Sequence, residues 1–213
     1  IYILCNLGQT VMIHIKDTKK IQLNSTERTA VALGKFDGIH QGHMLLIEQV
    51  LKLQKKGYMG VVFTFDMREN RVFDVSNMKT IYTSDEKAQV VSDTGVDVLV
   101  EYPFDDEFAA TEPKAFIRDV LVDMIRAGYV VVGSDYRFGR DRKGDVDTLK
   151  DYADEYGYKV IVIDKLEQDD EVVSSTVIRK NISEGDVRSV IPMLGRPYSM
   201  TGEVVSGKQL GRP

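Results

Sequence analysis

At 213 residues and 24.0 kDa the chain is about one and a half domains long, and its 43% hydrophobic and 29% charged side chains exclude bulk disorder, collagen-like repeats and coiled-coil arrays. The 28 Lys and Arg against 33 Asp and Glu give a net charge of −5, which disfavours broad nucleic-acid binding but leaves room for a local basic pocket. A single cysteine, Cys5, the absence of any run near the ~18–20 apolar residues of a membrane helix, and a start without a signal-peptide pattern point to a soluble cytoplasmic protein with no membrane partner.

Residues 1–28 read as an N-terminal extension and lead-in, and Ile1–Val11, ahead of the first methionine Met12, read as foreign to the fold. Short β-branched runs follow at Thr29–Leu33, Gly60–Phe65, Val96–Val100, Tyr129–Val132 and Tyr158–Ile163, each of strand length. Between them the spacing predicts helices over His43–Lys56, ending at Gly57, and from an N-cap at Ser84 to Thr94. Two more are expected over Pro113–Arg126, with Gly128 beyond, and over Asp145–Tyr156, stopping at Gly157. Strands alternating with helices imply right-handed crossovers, hence an α/β fold whose mainly parallel sheet is covered by helices. Ligands of such sheets bind beyond the strands' carboxyl ends, where the strand order reverses. The tail 195–213, rich in Gly and Pro around one alternating stretch, reads as the first hairpin of a second, all-β domain, and Pro192 is an anomaly in the helix expected to lead to Leu194.

The most informative segment, Gly34–His43, joins the first expected strand to the first helix. A glycine-rich turn lets the backbone approach phosphate, and the helix N-terminus adds free N–H groups and about half a positive charge. His40 and His43, two of the chain's three histidines, have the spacing to donate to one side of that turn. A metal role for them finds no matching Cys, His or acidic cluster.

In Val173–Arg179, three hydroxyl residues open a helical run, so Ser175 and Thr176 with the free N–H groups can hold phosphate while Arg179 grips its oxygens one turn on. Gly133–Arg140 lies at the ligand edge of the sheet, where Asp135 would meet a nucleotide and Arg137 or Arg140 its phosphates. The acidic run Asp164–Glu171 reads as a solvated lid. Gly202–Lys208 imitates a P-loop, but Gln209 replaces the Ser or Thr that should hold magnesium and Leu210–Pro213 cannot continue as a helix.

Gly34-x-Phe36-Asp37-Gly38-x-His40-x-Gly42-His43 resembles the His-x-Gly-His signature of the nucleotidyltransferase superfamily. More narrowly, it is similar to the N-terminal domain of the bifunctional prokaryotic riboflavin kinase/FAD synthetase family. Thr64-Phe65, Pro103–Asp105, Val132–Gly139, Ser174–Arg179 and Leu194–Tyr198 add to the likeness in order along the chain. The resemblance implies a Rossmann-like nucleotidyltransferase fold over 29–194, with the opening of a truncated flavokinase β-barrel over 195–213. It further implies FMN adenylyltransferase activity, with ATP and FMN as substrates and Mg²⁺ as the accompanying ion. By the same resemblance Gly34, Phe36, Asp37, Gly38, His40, Gly42 and His43 form the ATP phosphate pocket. Ser175, Thr176 and Arg179 hold phosphates from the other side, and Asp135 lies near nucleotide and flavin.

Two departures stand out. The family's Thr-Phe-Glu-Pro-His-Pro-like run reads Thr64–Asn70 without either proline, and the chain stops where the kinase motifs would begin, so riboflavin phosphorylation is not expected of this chain. Two other readings stay open: a different His-x-Gly-His nucleotidyltransferase, against which the 194–213 tail argues, and a non-catalytic flavin- or nucleotide-binding module. Small molecules are the expected partners, and the sequence carries no signal for an oligomeric state.

Overall fold

The computed structural model describes residues 2–4, 12–16, 18–21, 23, 27–66, 80–168 and 171–205. Strands β1 (Tyr2–Leu4), β2 (Met12–Lys16), β3 (Thr29–Leu33), β4 (Met59–Asp66), β5 (Val98–Pro103), β6 (Ala127–Gly133) and β7 (Lys159–Ile163) form one sheet in the order β1-β2-β5-β4-β3-β6-β7. All neighbours pair in parallel except β1, which runs antiparallel to β2. Five of these strands coincide with the expected runs. The additions are β1, inside the segment read as foreign to the fold, and β2, in the segment read as lead-in: Tyr2 pairs with His14 and Leu4 with Met12, Met12 and Ile15 are buried, and Ile13 pairs with Val98. A five-residue strand has too few residues for its alternation to announce itself.

Helices cover both faces. Helix α1 (Gln41–Gln54) and α2 (Ser84–Ser92) lie on one side, where Ile47, Val50 and Leu53 pack with Ala30, Ala32 and Leu99. On the other, α3 (Asp106–Ala109) and α4 (Pro113–Ala115) precede a π-helical turn series, Phe116–Met124, whose Ile117 and Leu121 meet Val31, Leu33 and Val130. Successive residues of β3 thus serve opposite cores, which is why all five are buried.

Several boundaries depart from expectation. Thr83, not Ser84, caps α2 through a reciprocal pair with Glu86, while Ser84 Oγ donates to Glu101. The expected helix over 113–126 is wound as π over most of its length, and the left-handed residue that ends it is Arg126, φ 57°, not a glycine. Gly128 lies within β6, where a Cβ would come 2.7 Å from Tyr58 Cε1. The expected helix over 145–156 breaks at Tyr152 into α5 (Val146–Asp151) and α6 (Ala153–Tyr156). A short hairpin, β8 (Glu167–Gln168) with β9 (Glu171–Val172), leads into α7 (Ser175–Ser183) and then α8 (Val190–Leu194). Pro192 falls in the first turn of α8, where its missing N–H would have no intrahelical partner anyway. Residues 196–205 form no strand, so the hairpin expected from the tail is absent up to Val205, and its remainder, with the end of the P-loop-like run, lies outside the described residues. Among the described residues no helix is long and apolar enough to cross a membrane.

Candidate active site

The chain leaves β3 for β4 and β5 on one side and returns to β6 and β7 on the other, so the order reverses between β3 and β6. At their carboxyl ends opens a cavity of about 600 Å³, within the usual range for small-molecule sites. Segments far apart in sequence converge on it: the turn after β3, the turn after β6, the end of β7 and the head of α7.

The turn after β3 divides into lining and framework. Gly34, His40, Gly42 and His43 line the cavity. Phe36, Asp37 and Gly38, expected in the same pocket, do not. Phe36 is completely buried in the α1-side core, and a Cβ on Gly38, at φ 80°, would come 2.7 Å from Ile81 Cδ1. The Asp37 side chain lies outside the cavity lining. Its Oδ1 accepts from the Ile81 N–H at 2.9 Å, and its backbone carbonyl accepts from Ser175 Oγ at 2.8 Å. Burial raises the Asp37 pKa, against the lowering effect of the Ile81 N–H and Arg179. These three residues shape the turn and tie it to α7.

His40 is the N-cap of α1, accepting the His43 backbone N–H at Nδ1 (3.3 Å). That bond places the His40 proton on Nε2, free to donate. The two rings stack at 3.7 Å, and Gly42 has no side chain because a Cβ there would press on the His40 ring at 3.2 Å. Burial, reinforced by the Arg196 charge, lowers the His40 pKa to about 4; burial and His40 hold His43 well below its usual value. Both imidazoles are therefore neutral donors at neutral pH. Nδ1 of His43 is buried without a partner.

Across the cavity Ser174 caps α7, leaving the first N–H groups of the helix, with Thr176 and Arg179, at the opening. The Arg179 guanidinium is held by the Ser175 carbonyl at 3.2 Å and by Asp37 at 3.8 Å. Two cations join it that the sequence reading did not assign to the site, Lys35 and Arg142. Burial and then the charges of Arg142 and Arg179 lower the Lys35 pKa. In the turn after β6, Arg142 takes the place expected of Arg140: it adopts a left-handed φ of 58° and lines the cavity, whereas Arg140 pairs with Glu112 and does not. Arg137 lines the cavity but also binds Asp145 at 2.7 Å. The signal for Arg142 is a basic residue in a glycine-bounded turn at the ligand edge, the same signal that points to Arg137 or Arg140 in the sequence. Asp135 is exposed at the rim, paired with Lys165 at 3.0 Å, and Asp164 to Leu166 of the expected lid line the same rim.

The remaining wall is aromatic: Phe65, Phe104, Phe108, Phe116, Tyr136 and Phe138, with neighbouring rings 5.2–6.0 Å apart. Sequence reading assigned no ligand role to these rings, because as scattered aromatics they are indistinguishable from core. Most of the departing run after Phe65 lies outside the described residues. Among the described residues no group of three or more His, Cys, Asp or Glu is placed to hold a metal ion.

The sequence profile of the FAD synthetase family matches residues 22–177. A bifunctional riboflavin kinase/FMN adenylyltransferase from Buchnera aphidicola (subsp. Schizaphis graminum) is 31% identical over 93% of this chain, which spans 63% of that relative's length. A Listeria monocytogenes FAD synthetase is 30% identical over 88% of the chain and 77% of its own. A crystal structure from Streptococcus pneumoniae, described as a macrolide-efflux protein, superposes with a TM-score of 0.74 at 30% identity, covering 88% of this chain and 60% of that one. The profile match takes in the turns after β3 and β6 and the head of α7, and extends over well more than half of the sequence; the chain belongs to the FAD synthetase family.

Proposed function

We propose that this chain transfers the AMP group of ATP to FMN, giving FAD and pyrophosphate. The observation that carries this reading is the pairing of two unlike walls in one cavity. One is a donor-rich cationic wall at the heads of α1 and α7; the other is an aromatic wall able to take a planar ring.

In this step an oxygen of the FMN phosphate forms a bond to the α-phosphorus of ATP. The bond from that phosphorus to the bridging oxygen breaks, and pyrophosphate leaves with the electron pair. The nucleophile is already anionic at neutral pH, so no general base is needed. The barrier lies in bringing two polyanions into line and in stabilising charge on the α-phosphoryl oxygens and the leaving group. The neutral rings of His40 and His43 and the α1 amides donate hydrogen bonds, while Lys35, Arg142 and Arg179 offset charge. Gly34, Gly42, Ser175 and Thr176 would bound the triphosphate, with Asp135 at the nucleotide and flavin rim. ATP enters as its Mg²⁺ complex, the ion serving as counter-charge of the triphosphate. A cytoplasmic setting fits these substrates. In this reading the adenylyltransferase domain takes in β1 and β2 ahead of the expected 29–194, since both strands belong to its sheet, and 195–213 is the start of the flavokinase part.

The test is pyrophosphate release from ATP and Mg²⁺ with FMN or riboflavin as sole acceptor. FAD and pyrophosphate with FMN, and neither with riboflavin, are expected; binding of ATP and FMN without pyrophosphate would reduce the chain to a binding module.

A further inference from the structure

The segment after α8 crosses behind the phosphate turn. Arg196 reaches back 157 and 158 positions to donate to the carbonyls of Ile39, at 2.9 Å, and Gly38, at 2.6 Å, with a further bond to the Leu194 carbonyl at 3.0 Å. Its guanidinium lies 5.3 Å from the centre of the Tyr82 ring, and that ring stacks on Tyr198 at 6.0 Å. The Tyr198 hydroxyl donates to the Ile81 carbonyl, and the Thr201 N–H to Glu86. Gly195, left-handed at φ 70°, lies so close to the Gln41 side chain that a Cβ would collide with its amide. The strap thus lies against the turn before α1 at Arg196 and against the entry to α2 at Tyr198 and Thr201.

What it grips is strained backbone. Gly38 and Ile39 both have positive φ, 80° and 44°, and for a β-branched residue this is a rare conformation that surrounding structure must enforce. In a trans peptide the N–H points opposite to the carbonyl. Arg196, Gly38 and Ile39 do not line the cavity, whereas His40 does; the Ile39 carbonyl points to Arg196, so the His40 N–H of the same peptide faces the opposite side. Were the Ile39–His40 peptide to flip, its carbonyl dipole would turn towards the phosphates instead.

We infer that Arg196 is a positioning residue for adenylyl transfer, bracing the turn at Gly38 and locking the Ile39–His40 peptide so that the head of α1 presents donors, not acceptors, to ATP. This rests on the adenylyl-transfer reading above and adds a residue outside the cavity to it.

The experiment compares wild type, Arg196→Ala and Arg196→Lys by steady-state FAD formation and by calorimetric titration with a non-hydrolysable ATP analogue and Mg²⁺, with thermal unfolding alongside. Arg196→Ala should raise the KM for ATP and the analogue Kd by about tenfold, the scale of losing charge-assisted hydrogen bonds. The KM for FMN should move less than about twofold. Arg196→Lys, which keeps the charge and one donor direction, should fall between and covers the case in which the alanine variant does not fold. Unchanged analogue affinity in either folded variant, or equal rises in both KM values, overturns the inference. Wild type that makes no FAD overturns the adenylyl-transfer reading instead, and the titration still decides whether Arg196 shapes the nucleotide turn.

Discussion

The rings of His40 and His43 lie stacked 3.7 Å apart, tilted by 23°, while the backbone N–H of the second donates to Nδ1 of the first. Two protonated rings could not share that contact, so both are neutral at the positive end of α1. His43→Ala should leave the fold intact and lower FAD formation by ~10²–10³-fold, the usual cost of removing one donor to a developing oxyanion. The rate constant at saturating ATP and FMN is the measurement, and wild-type turnover would remove His43 from the chemistry.

The same burial makes stability depend on pH. A histidine whose pKa falls from 6.5 to about 4 on folding contributes stability that is present above pH 6.5 and is lost as the pH drops towards 4. His40 alone should cost on the order of 1–2 kcal/mol between pH 7 and pH 5. Urea unfolding at the two pH values should show a smaller difference for His40→Asn, which keeps an acceptor at the N-cap but does not titrate.

Arg179 is held by its own helix and by the turn before α1: Nε bonds the Ser175 carbonyl one turn back, Nη2 donates to Thr176 Oγ1 at 3.5 Å, Nη1 lies 3.8 Å from Asp37, and the side chain lines the cavity. Arg179→Ala should weaken ATP binding by about tenfold or more, and Arg179→Lys by less, because lysine retains charge but not the planar fork. Equal affinities in an ATP titration would place Arg179 outside the phosphate site.

Glu101, on β5 and only 2% exposed, joins three elements: it meets His14 of β2 at 3.0 Å and Lys87 of α2 at 2.8 Å, and accepts from Ser84 at 2.5 Å. Burial alone would raise its pKa, but His14, Lys87 and Ser84 more than reverse this and hold it at about 2. Glu101→Ala should destabilise the fold at pH 7 by on the order of 3 kcal/mol, since a half-buried ammonium loses its partner. Denaturant midpoints measure it; a shift of a few tenths would show that the cluster is solvated.

The central strands, the helices between them and the glycine-histidine turn were legible in the sequence because each is a local pattern. Apolar runs of strand length, a 3.6-residue stripe and hydroxyl caps depend only on neighbours along the chain. Which face of the turn each residue would take was a different matter. Phe36, Asp37 and Gly38 belong to the same motif as His40 and His43, yet they turn inward because the α1-side core, the Ile81 N–H and the Ser175 hydroxyl lie there, brought from as far as 138 positions away. The choice of Arg142 over Arg140 for the cavity, the aromatic wall and the grip of Arg196 on Gly38 and Ile39 arise the same way. Local periodicity decides what an element is; only the reversal of strand order between β3 and β6 decides what its loops meet, because that contact is made across the sheet and not along the chain.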